Sequence, residues 1–188
     1  MAQDVMADTV SLPSFRDYTV IARLGLGGFG TVYKAQHNYT KQLRAIKILP
    51  PGIQNEAVTL KQFQDEAQAM GAFDHPHIVK IYHAGIENGF PFLDMEFIEG
   101  ESVHELIQEQ VASGEKPMPV GEVIRLAREM ADALRYIHTQ NLIHRDIKPQ
   151  NIMRRGTDKV FKLTDFGIAF ESKLSTRSTD FAGTAEYM

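Results

Sequence analysis

The sequence predicts an α+β fold with two lobes, a small and mostly antiparallel sheet with one helix followed by a mainly helical lobe. Between residues 18 and 98, short runs rich in β-branched and aromatic residues are separated by Gly, Pro and Asn turns. Beyond a break at Gly100-Glu101-Ser102, apolar residues recur at helical spacing instead. The 188 residues suffice for one large domain or two small lobes that share a cleft.

Composition excludes several classes of protein. Apolar residues make up 43% of the chain and charged residues 23%, which favours a folded core over disorder. A net charge of −4 argues against a dedicated nucleic-acid binder. The absence of cysteine excludes disulfides and thiolate metal sites and fits a reducing compartment, so we expect a cytoplasmic location. No run of about 18 apolar residues is present, so we expect no membrane segment.

The first lobe is predicted to span residues 17–98, after a flexible leader over residues 1–16. Its helix is predicted over Ala57–Met70, where Phe63, Ala67 and Met70 form one apolar stripe. The Glu87-Asn88-Gly89 turn indicates a tight hairpin. The predicted strands are Tyr18–Leu24, Thr31–Ala35, Leu43–Leu49, Ile78–Ile86 and Phe90–Phe97.

The second lobe, residues 99–188, is predicted to begin with a short helix over Val103–Val111 and a long helix over Val120–His138. The buried stripe of the long helix is expected to consist of Val123, Ala127, Met130, Leu134 and Ile137. Two short strands follow, Ile152–Met153 and Val160–Leu163, joined by a polar turn.

The stretch from His144 to Asn151 is the densest group of functional side chains in the second lobe. It combines Asp146, two basic residues, two amides and an imidazole, and Pro149 prevents a continuous helix. An ordered polar loop of this kind is either a solvated connector or a functional site. Its spacing to a Gly-rich turn, an apolar strand with one lysine, and Asp165-Phe166-Gly167 favours the second interpretation.

The Gly-rich turn is Gly25-Leu26-Gly27-Gly28-Phe29-Gly30, whose four glycines indicate close backbone approach or positive φ. A ligand-free hairpin and a dinucleotide-binding fold are the alternatives. The dinucleotide fold needs a helix after the last glycine, whereas Thr31, Val32 and Tyr33 favour a strand. A hairpin that covers phosphates with backbone N–H groups fits better.

Lys47 lies between apolar neighbours in the third predicted strand. It is either a lysine that extends to solvent from an edge or one held in a cleft to meet phosphate oxygens, which requires a carboxylate to orient it. Glu66 lies beside the apolar stripe of the predicted helix and is the candidate. His75 and His77 suggest a metal pair, but no third ligand at suitable spacing is nearby, so we do not predict a metal there.

These motifs, taken together and in this order, resemble the eukaryotic-type serine/threonine protein kinases. The matching pieces are Gly25 to Val32, Lys47 in Ala-Ile-Lys, Glu66, the loop from His144 to Asn151, and Asp165-Phe166-Gly167. The resemblance covers residue 17 to the end of the chain. Lys148, two residues after Asp146, is the feature of the Ser/Thr subgroup. The sequence as a whole, including Glu99-Gly100-Glu101-Ser102 and the segment Phe181–Met188, looks most like bacterial members of the family.

The resemblance implies a role for each matching residue. Asp146 would accept the proton of the substrate hydroxyl, and Lys148 would stabilise charge at the γ-phosphate. Lys47, oriented by Glu66, would contact the α- and β-phosphates of ATP. Asn151 and Asp165 would hold Mg²⁺. The implied nucleotide-binding residues are Leu24, Gly25, Leu26, Gly27, Gly28, Phe29, Gly30, Val32, Ala45, Lys47, Met95, Glu96, Ile98 and Met153, of which Met95 would be the gatekeeper behind the adenine. Glu96, Phe97 and Ile98 would form the hinge, whose backbone binds the adenine edge.

Arg145 before the acidic residue suggests control by phosphorylation, because a buried cation beside that acid requires an anionic partner. The candidate phosphosites are Ser175, Thr176, Ser178 and Thr179, with Thr176 and Ser178 best placed.

The chain ends before the helices that complete the larger lobe in this family, so we expect a fragment with part of an apolar helix face bare. Two functions follow. Either the chain carries the machinery of a kinase that uses ATP and Mg²⁺ to phosphorylate proteins, with self-phosphorylation in a homodimer as a candidate arrangement, or it is an inactive nucleotide-binding or interaction module.

Overall fold

A computed structural model describes residues 15–27, 30–49, 57–114 and 116–165 of the chain. They form eight strands, three helices and a short 3-10 turn at Pro149–Asn151. Residues 1–14 of the predicted leader and the predicted phosphosites lie outside these residues. Phe15, which was predicted to belong to the flexible leader, is buried against Tyr18 and Phe92. The strands and helices, in chain order, are β1 (Tyr18–Gly27), β2 (Gly30–His37), β3 (Leu43–Ile48), α1 (Ala57–Gly71), β4 (Ile81–Glu87), β5 (Phe90–Glu96), β6 (Gly100–Ser102), α2 (Val103–Ser113), α3 (Val120–Thr139), β7 (Ile152–Arg155) and β8 (Phe161–Leu163).

The first lobe is built on a five-stranded antiparallel sheet with the order β1-β2-β3-β5-β4. The hairpin between β4 and β5 turns at Asn88 and Gly89, whose φ angles of 51° and 81° are both positive. Two positive φ values in a two-residue turn match the twist of the flanking strands, which is why Asn-Gly is favoured there. The predicted sheet and its hairpin are confirmed.

Helix α1 packs against the sheet through the predicted stripe. Phe63, Ala67 and Met70 are all buried and share one apolar cluster with Ile81 of β4 and Leu93 of β5. Burial of these side chains stabilises the helix in a way that intrinsic propensity alone does not. The helix therefore lies where its apolar spacing predicted.

A second sheet, which the sequence only partly revealed, has the order β6-β7-β8. Strand β6 was not predicted, because three residues at a Gly-Glu-Ser break carry no strand pattern. Residues 78 and 79, which were predicted to begin β4, instead pair with β8. The Val79 N–H donates to the Leu163 carbonyl at 2.9 Å, and the Leu163 N–H donates to the His77 carbonyl at 2.9 Å. The loop before β4 thereby holds the strand that leads to Asp165.

Helix α2 has a complete capping box at its start. The Glu105 N–H donates to the Ser102 hydroxyl at 3.1 Å, and the Ser102 N–H donates to the Glu105 carboxylate at 2.7 Å. The helix ends at Gly114, whose φ of 68° is the left-handed conformation that glycine adopts without strain.

Helix α3 buries a stripe that differs from the predicted one. Met130 and Ile137 are buried as expected, and Ala133 replaces Ala127, which is exposed. Val123 is 46% exposed, so its assignment to the buried stripe was wrong. The buried side of α3 also contains Glu129, which interrupts the apolar pattern. Near the start of the helix, Val120, Val123 and Ile124 form an exposed apolar group.

Candidate active site

Asp146 lies at the centre of the polar loop that follows α3. Its carboxylate Oδ2 is 2.8 Å from Lys148 Nζ and accepts a hydrogen bond of 2.9 Å from Asn151 Nδ2. Asn151 also donates to the Asp146 backbone carbonyl at 2.8 Å. Pro149 starts the 3-10 turn that folds Asn151 back toward Asp146. The loop is therefore an ordered group of three interacting side chains, and the alternative of a solvated connector is excluded.

His144 fastens this loop to the end of β8. Its ring is 1% exposed, and Nε2 lies 3.0 Å from the Thr164 carbonyl, which only accepts, so Nε2 carries the proton. The Asp146 N–H points at Nδ1, 3.4 Å away. Burial lowers the pKa of His144, although the hydrogen bond to Thr164 opposes the shift. The imidazole is thus neutral and serves as a buried connector.

Asn151 provides a second connection to the same point. The Thr164 N–H donates to the Asn151 carbonyl at 2.8 Å, and the Thr164 hydroxyl donates to that carbonyl at 3.2 Å. Asn151 itself is buried. Two residues of the loop therefore hold Thr164, and with it the start of the Asp165 backbone.

Lys47 and Asp165 meet across the cleft between the two lobes. Lys47 Nζ is 2.8 Å from Asp165 Oδ1, and the lysine side chain is 6% exposed, whereas that of the aspartate is 37% exposed. A buried ammonium requires an anionic partner. The alternative in which Lys47 extends to solvent from a strand edge is therefore wrong. Of Glu66 only the position in α1 is described, so the predicted Lys47–Glu66 pair stays a prediction.

Two site residues have left-handed backbone conformations, Arg145 with φ of 67° and Asp165 with φ of 50°. Such conformations are uncommon outside glycine and cluster at functional sites. Arg145 is exposed, although the sequence analysis placed a buried cation here. That prediction was wrong because adjacent residues of the loop face different sides, and it is His144 that is buried.

The Gly-rich turn is the tip of the β1–β2 hairpin. The two strands pair up to Gly27 and Gly30, and β2 follows directly, which excludes the dinucleotide-binding alternative. Gly30 has φ of 117°, and a Cβ there would lie 2.1 Å from the Ile48 carbonyl oxygen. Leu24 and Leu26 are exposed on β1, and Gly25 has open space around it. Gly28 and Phe29 lie outside the described residues.

The residues expected around the adenine ring belong to one apolar cluster that runs between the lobes. Ala45, Met95 and Ile98 are buried in it, and Val32 and Met153 pack against it half-buried. A cavity of about 10 Å³ lies between Met95, Met70, Lys47 and Asp165. Met95, a member of the apolar cluster, therefore borders the same cavity as the charged pair, and its gatekeeper role stays a prediction.

Sequence reasoning missed several charged residues around this site. The carboxylate of Glu96, whose backbone was expected to bind adenine, is 2.7 Å from Lys162 Nζ on β8. Glu129 on α3 accepts the Phe161 N–H at 2.8 Å. Lys162 lies between Phe161 and Leu163, so a charged residue that interrupts an apolar stretch was the available signal there. Glu129 lies between Arg128 and Met130 and gave no such signal.

His75 and His77, considered above as a metal pair, have other partners. His75 Nε2 is 3.1 Å from Asp132 Oδ2, and His77 Nδ1 is 3.1 Å from the Phe161 carbonyl. Burial lowers the pKa of His75 despite the neighbouring Asp132. Among the residues that the structure describes, no group of three or more His, Cys, Asp or Glu could hold a metal ion.

The same described portion of the chain contains no helix long and apolar enough to cross a membrane.

Comparison with known proteins identifies the family to which the chain belongs. The family model described as "Protein kinase domain" matches residues 18–188. The chain is 35% identical to the serine/threonine-protein kinase PknF of Mycobacterium tuberculosis, over 83% of this chain and 33% of that protein. It is 33% identical to PrkC of Bacillus subtilis, a serine/threonine-protein kinase, over 91% of this chain and 26% of that protein.

Among solved structures, the chain is similar to the crystal structure of the PknI kinase domain of Mycobacterium tuberculosis. The TM-score is 0.70 and the identity 31%, over 83% of this chain and 62% of that one. The chain thus spans about a third of the length of PknF and less than two thirds of this solved domain.

Proposed function

Because the chain belongs to the protein kinase family, we propose that the protein it represents transfers the γ-phosphoryl group of ATP to serine and threonine hydroxyls of proteins. The observation that carries this proposal is the convergence of Lys148 and Asn151 on the Asp146 carboxylate. A carboxylate held by a cation and an amide is a fixed acceptor for a hydroxyl proton. Phosphoryl transfer needs this positioning more than covalent help from the protein.

Asp146 orients the incoming hydroxyl and takes up its proton as the phosphoryl group moves. Lys148, 2.8 Å from Asp146 Oδ2, places a positive charge where the γ-phosphate and the hydroxyl meet. That charge is worth most in the transition state, when negative charge spreads over the phosphoryl oxygens. The serine/threonine activity of the named relatives is consistent with this assignment.

ATP would bind between the lobes. The β1–β2 hairpin would cover the phosphates, Lys47 would contact the α- and β-phosphates, and Val32, Ala45 and Met153 would enclose the adenine. The pair of Lys47 and Asp165 supports this arrangement, because it places a cation and a carboxylate at one point of the cleft. Glu66 is the proposed second partner of Lys47.

Asp165 and Asn151 are the proposed ligands of Mg²⁺, which would neutralise phosphate charge when bound. The donors fit this ion, since both offer hard oxygens and Asp165 is part-exposed to the cleft. Mg²⁺ is commonly held by one or two carboxylates together with substrate phosphates. A site with few protein ligands is therefore consistent with the lack of a larger ligand cluster among the described residues.

The proposed partners are ATP and a protein with a Ser or Thr acceptor, in the cytoplasm, with a homodimer as the arrangement for self-phosphorylation. The test is incubation of the chain with γ-labelled ATP, Mg²⁺ and a generic basic protein, followed by phosphoamino-acid analysis. Label on serine or threonine that disappears in Asp146→Asn supports the proposal. Label that persists in that variant contradicts it.

A second candidate function is nucleotide binding or protein interaction without turnover. The exposed apolar group of Val120, Val123 and Ile124 favours it, because such a group on a helix is typical of a contact surface. Thermal stabilisation by Mg-ATP in the absence of any label transfer would support this candidate for the chain itself.

A further inference from the structure

The side chain of Glu96 joins the hinge to the β7–β8 hairpin. Glu96 ends β5, and its Oε2 is 2.7 Å from Lys162 Nζ on β8. The same oxygen accepts the Lys80 N–H at 3.2 Å, and Oε1 is 3.6 Å from Arg155 at the end of β7. One carboxylate therefore contacts both strands of the hairpin and the loop before β4.

The backbone makes a second connection between the same two segments. The Gly156 N–H donates to the Glu99 carbonyl at 2.8 Å. One residue further on, Gly100 approaches Arg154 so closely that a Cβ would lie 2.0 Å from the Arg154 carbonyl oxygen. The hairpin thus holds the hinge at its start through side chains and just beyond its end through the backbone.

Burial makes the side-chain connection specific. The Lys162 side chain is 8% exposed and its further contact is the Ile78 carbonyl at 3.4 Å, so the Glu96 carboxylate supplies its negative partner. Arg155 is held from the other side, where its Nε and Nη2 donate to Asp158 at 2.9 and 2.7 Å. A guanidinium fixed by one carboxylate presents its remaining nitrogen in a defined direction.

We infer that Glu96, Lys162 and Arg155 are positioning residues that set the location of the hinge backbone, and through it the affinity of the site for the adenine ring. The effect on adenine affinity rests on the proposed function, whereas the effect on the location of the hinge backbone does not. Recognition of a base by backbone groups depends on where the backbone lies, because a shift of a fraction of an ångström lengthens hydrogen bonds that weaken steeply with geometry. The side chains act without touching the nucleotide.

The first test needs no nucleotide. Amide hydrogen exchange is compared for peptides that cover the hinge in the wild type, Lys162→Met and Arg155→Met. We expect exchange about tenfold faster at the hinge in both variants, and unchanged in the β1–β2 hairpin. Arg154→Met is the matched control, since Arg154 pairs with Glu122 at 3.0 Å and not with Glu96. Hinge exchange that equals the wild type in both variants overturns the inference, whether or not the chain binds ATP.

A second measurement separates positioning from stability. Glu96→Gln leaves Lys162 buried without an anion, whereas Glu96→Gln with Lys162→Met removes both charges, a change that often restores stability. If the contacts of Glu96 with Lys162 and Arg155 only stabilise the fold, the double variant recovers both the wild-type melting temperature and the wild-type hinge exchange, which overturns the inference. If these contacts position the hinge, the melting temperature recovers while hinge exchange stays fast.

Adenosine binding gives the functional readout, because this ligand lacks phosphates and so does not depend on Lys47 or Asp165. We expect adenosine to bind the double variant about tenfold more weakly than the wild type, and Arg154→Met to bind it normally. If hinge exchange is fast in the variants but the wild type binds neither adenosine nor ATP, the positioning of the hinge stands and the proposed function is refuted. If hinge exchange in the variants equals the wild type and the wild type binds ATP, the positioning inference is refuted and the proposed function stands.

Discussion

Lys47 Nζ and Asp165 Oδ1 lie 2.8 Å apart, although the two residues are separated by 118 positions in the sequence. The contact connects β3 of the first lobe to a residue two positions beyond the end of β8 in the second. Binding of Mg-ATP would exchange this pair for two new ones, the ammonium with phosphate oxygens and the carboxylate with the metal ion. The Lys47 ammonium and the Asp165 carboxylate therefore neutralise each other until phosphate and metal would replace them as partners.

Lys47→Met is expected to weaken Mg-ATP binding by about 10- to 100-fold, since hydrogen bonds to charged groups contribute about 1.5–3 kcal/mol. Isothermal titration measures the change. Lys61→Met is the control, because Lys61 is exposed and pairs only with Asp65 in the described structure. Affinity in Lys47→Met within about twofold of the wild type would contradict the assigned contact.

Gly30→Ala is expected to destabilise the β1–β2 hairpin and lower the free energy of unfolding by about 1–3 kcal/mol, the range for forced backbone strain. The added Cβ would meet the Ile48 carbonyl oxygen at 2.1 Å, and φ is 117°. Gly25→Ala in the same hairpin has no atom within 4 Å of the new Cβ and should cost much less. Denaturant unfolding compares them, and equal losses would show that the close approach at Gly30 is not real.

Ile137→Ala is expected to cost about 2–5 kcal/mol of unfolding free energy, the usual effect of a cavity in a packed core. Ile137 is 0% exposed, whereas Val123 on the same helix is 46% exposed. Val123→Ala should therefore stay within about 0.5 kcal/mol of the wild type. If the two losses were similar, the original assignment of Val123 to the buried stripe would be restored.

Protonation of His144 gives the stability a defined pH dependence. Its pKa is lowered in the folded chain and is about 6.5 when unfolded, so the unfolded chain binds more protons as pH falls below about 6.5. As the pH is lowered below about 6.5, the unfolding free energy should therefore decrease by up to about 1.4 kcal/mol per pH unit for this residue. His75, whose pKa is also lowered, adds to the slope.

The variant His144→Gln isolates the contribution of His144. Its amide can still donate to the Thr164 carbonyl but does not titrate. Between pH 7.5 and 5.5, denaturant unfolding should show a shallower slope in the variant than in the wild type. Identical slopes would mean that folding does not shift the pKa of His144, which would contradict the effect assigned to its burial.

The antiparallel sheet, helix α1 and the polar loop followed from local patterns that the structure confirms. The apolar neighbours of Lys47 in β3, the Asn88-Gly89 turn and the spacing of Phe63, Ala67 and Met70 each depend on neighbours in sequence. Asp146, Lys148 and Asn151 lie within six residues, so their meeting needed only a turn at Pro149. The resemblance to a family assigned Lys47 and Asp165 separately to the phosphate site, and their direct contact was not predicted, since no local pattern relates residues so far apart.

The errors share one cause, which is tertiary contact that local sequence does not encode. Strand β6 exists because Gly100 fits against the Arg154 carbonyl, and residues 78–79 leave β4 because β8 offers them partners. Glu129 faces inward because the Phe161 N–H and His77 need an acceptor there. Helical spacing alone placed Val123 inside and gave no reason to expect a buried carboxylate.

The proposed function rests on Asp146, held in place by Lys148 and Asn151, as the proton acceptor for phosphoryl transfer. Its most direct test is the paired measurement of kcat and of the Kd for Mg-ATP in the wild type and in Asp146→Asn. We predict that kcat falls by about 10²- to 10⁴-fold, the usual contribution of a positioned acid or base, while Kd stays within about twofold. Transfer that continues at the wild-type rate in Asp146→Asn would contradict the role proposed for Asp146.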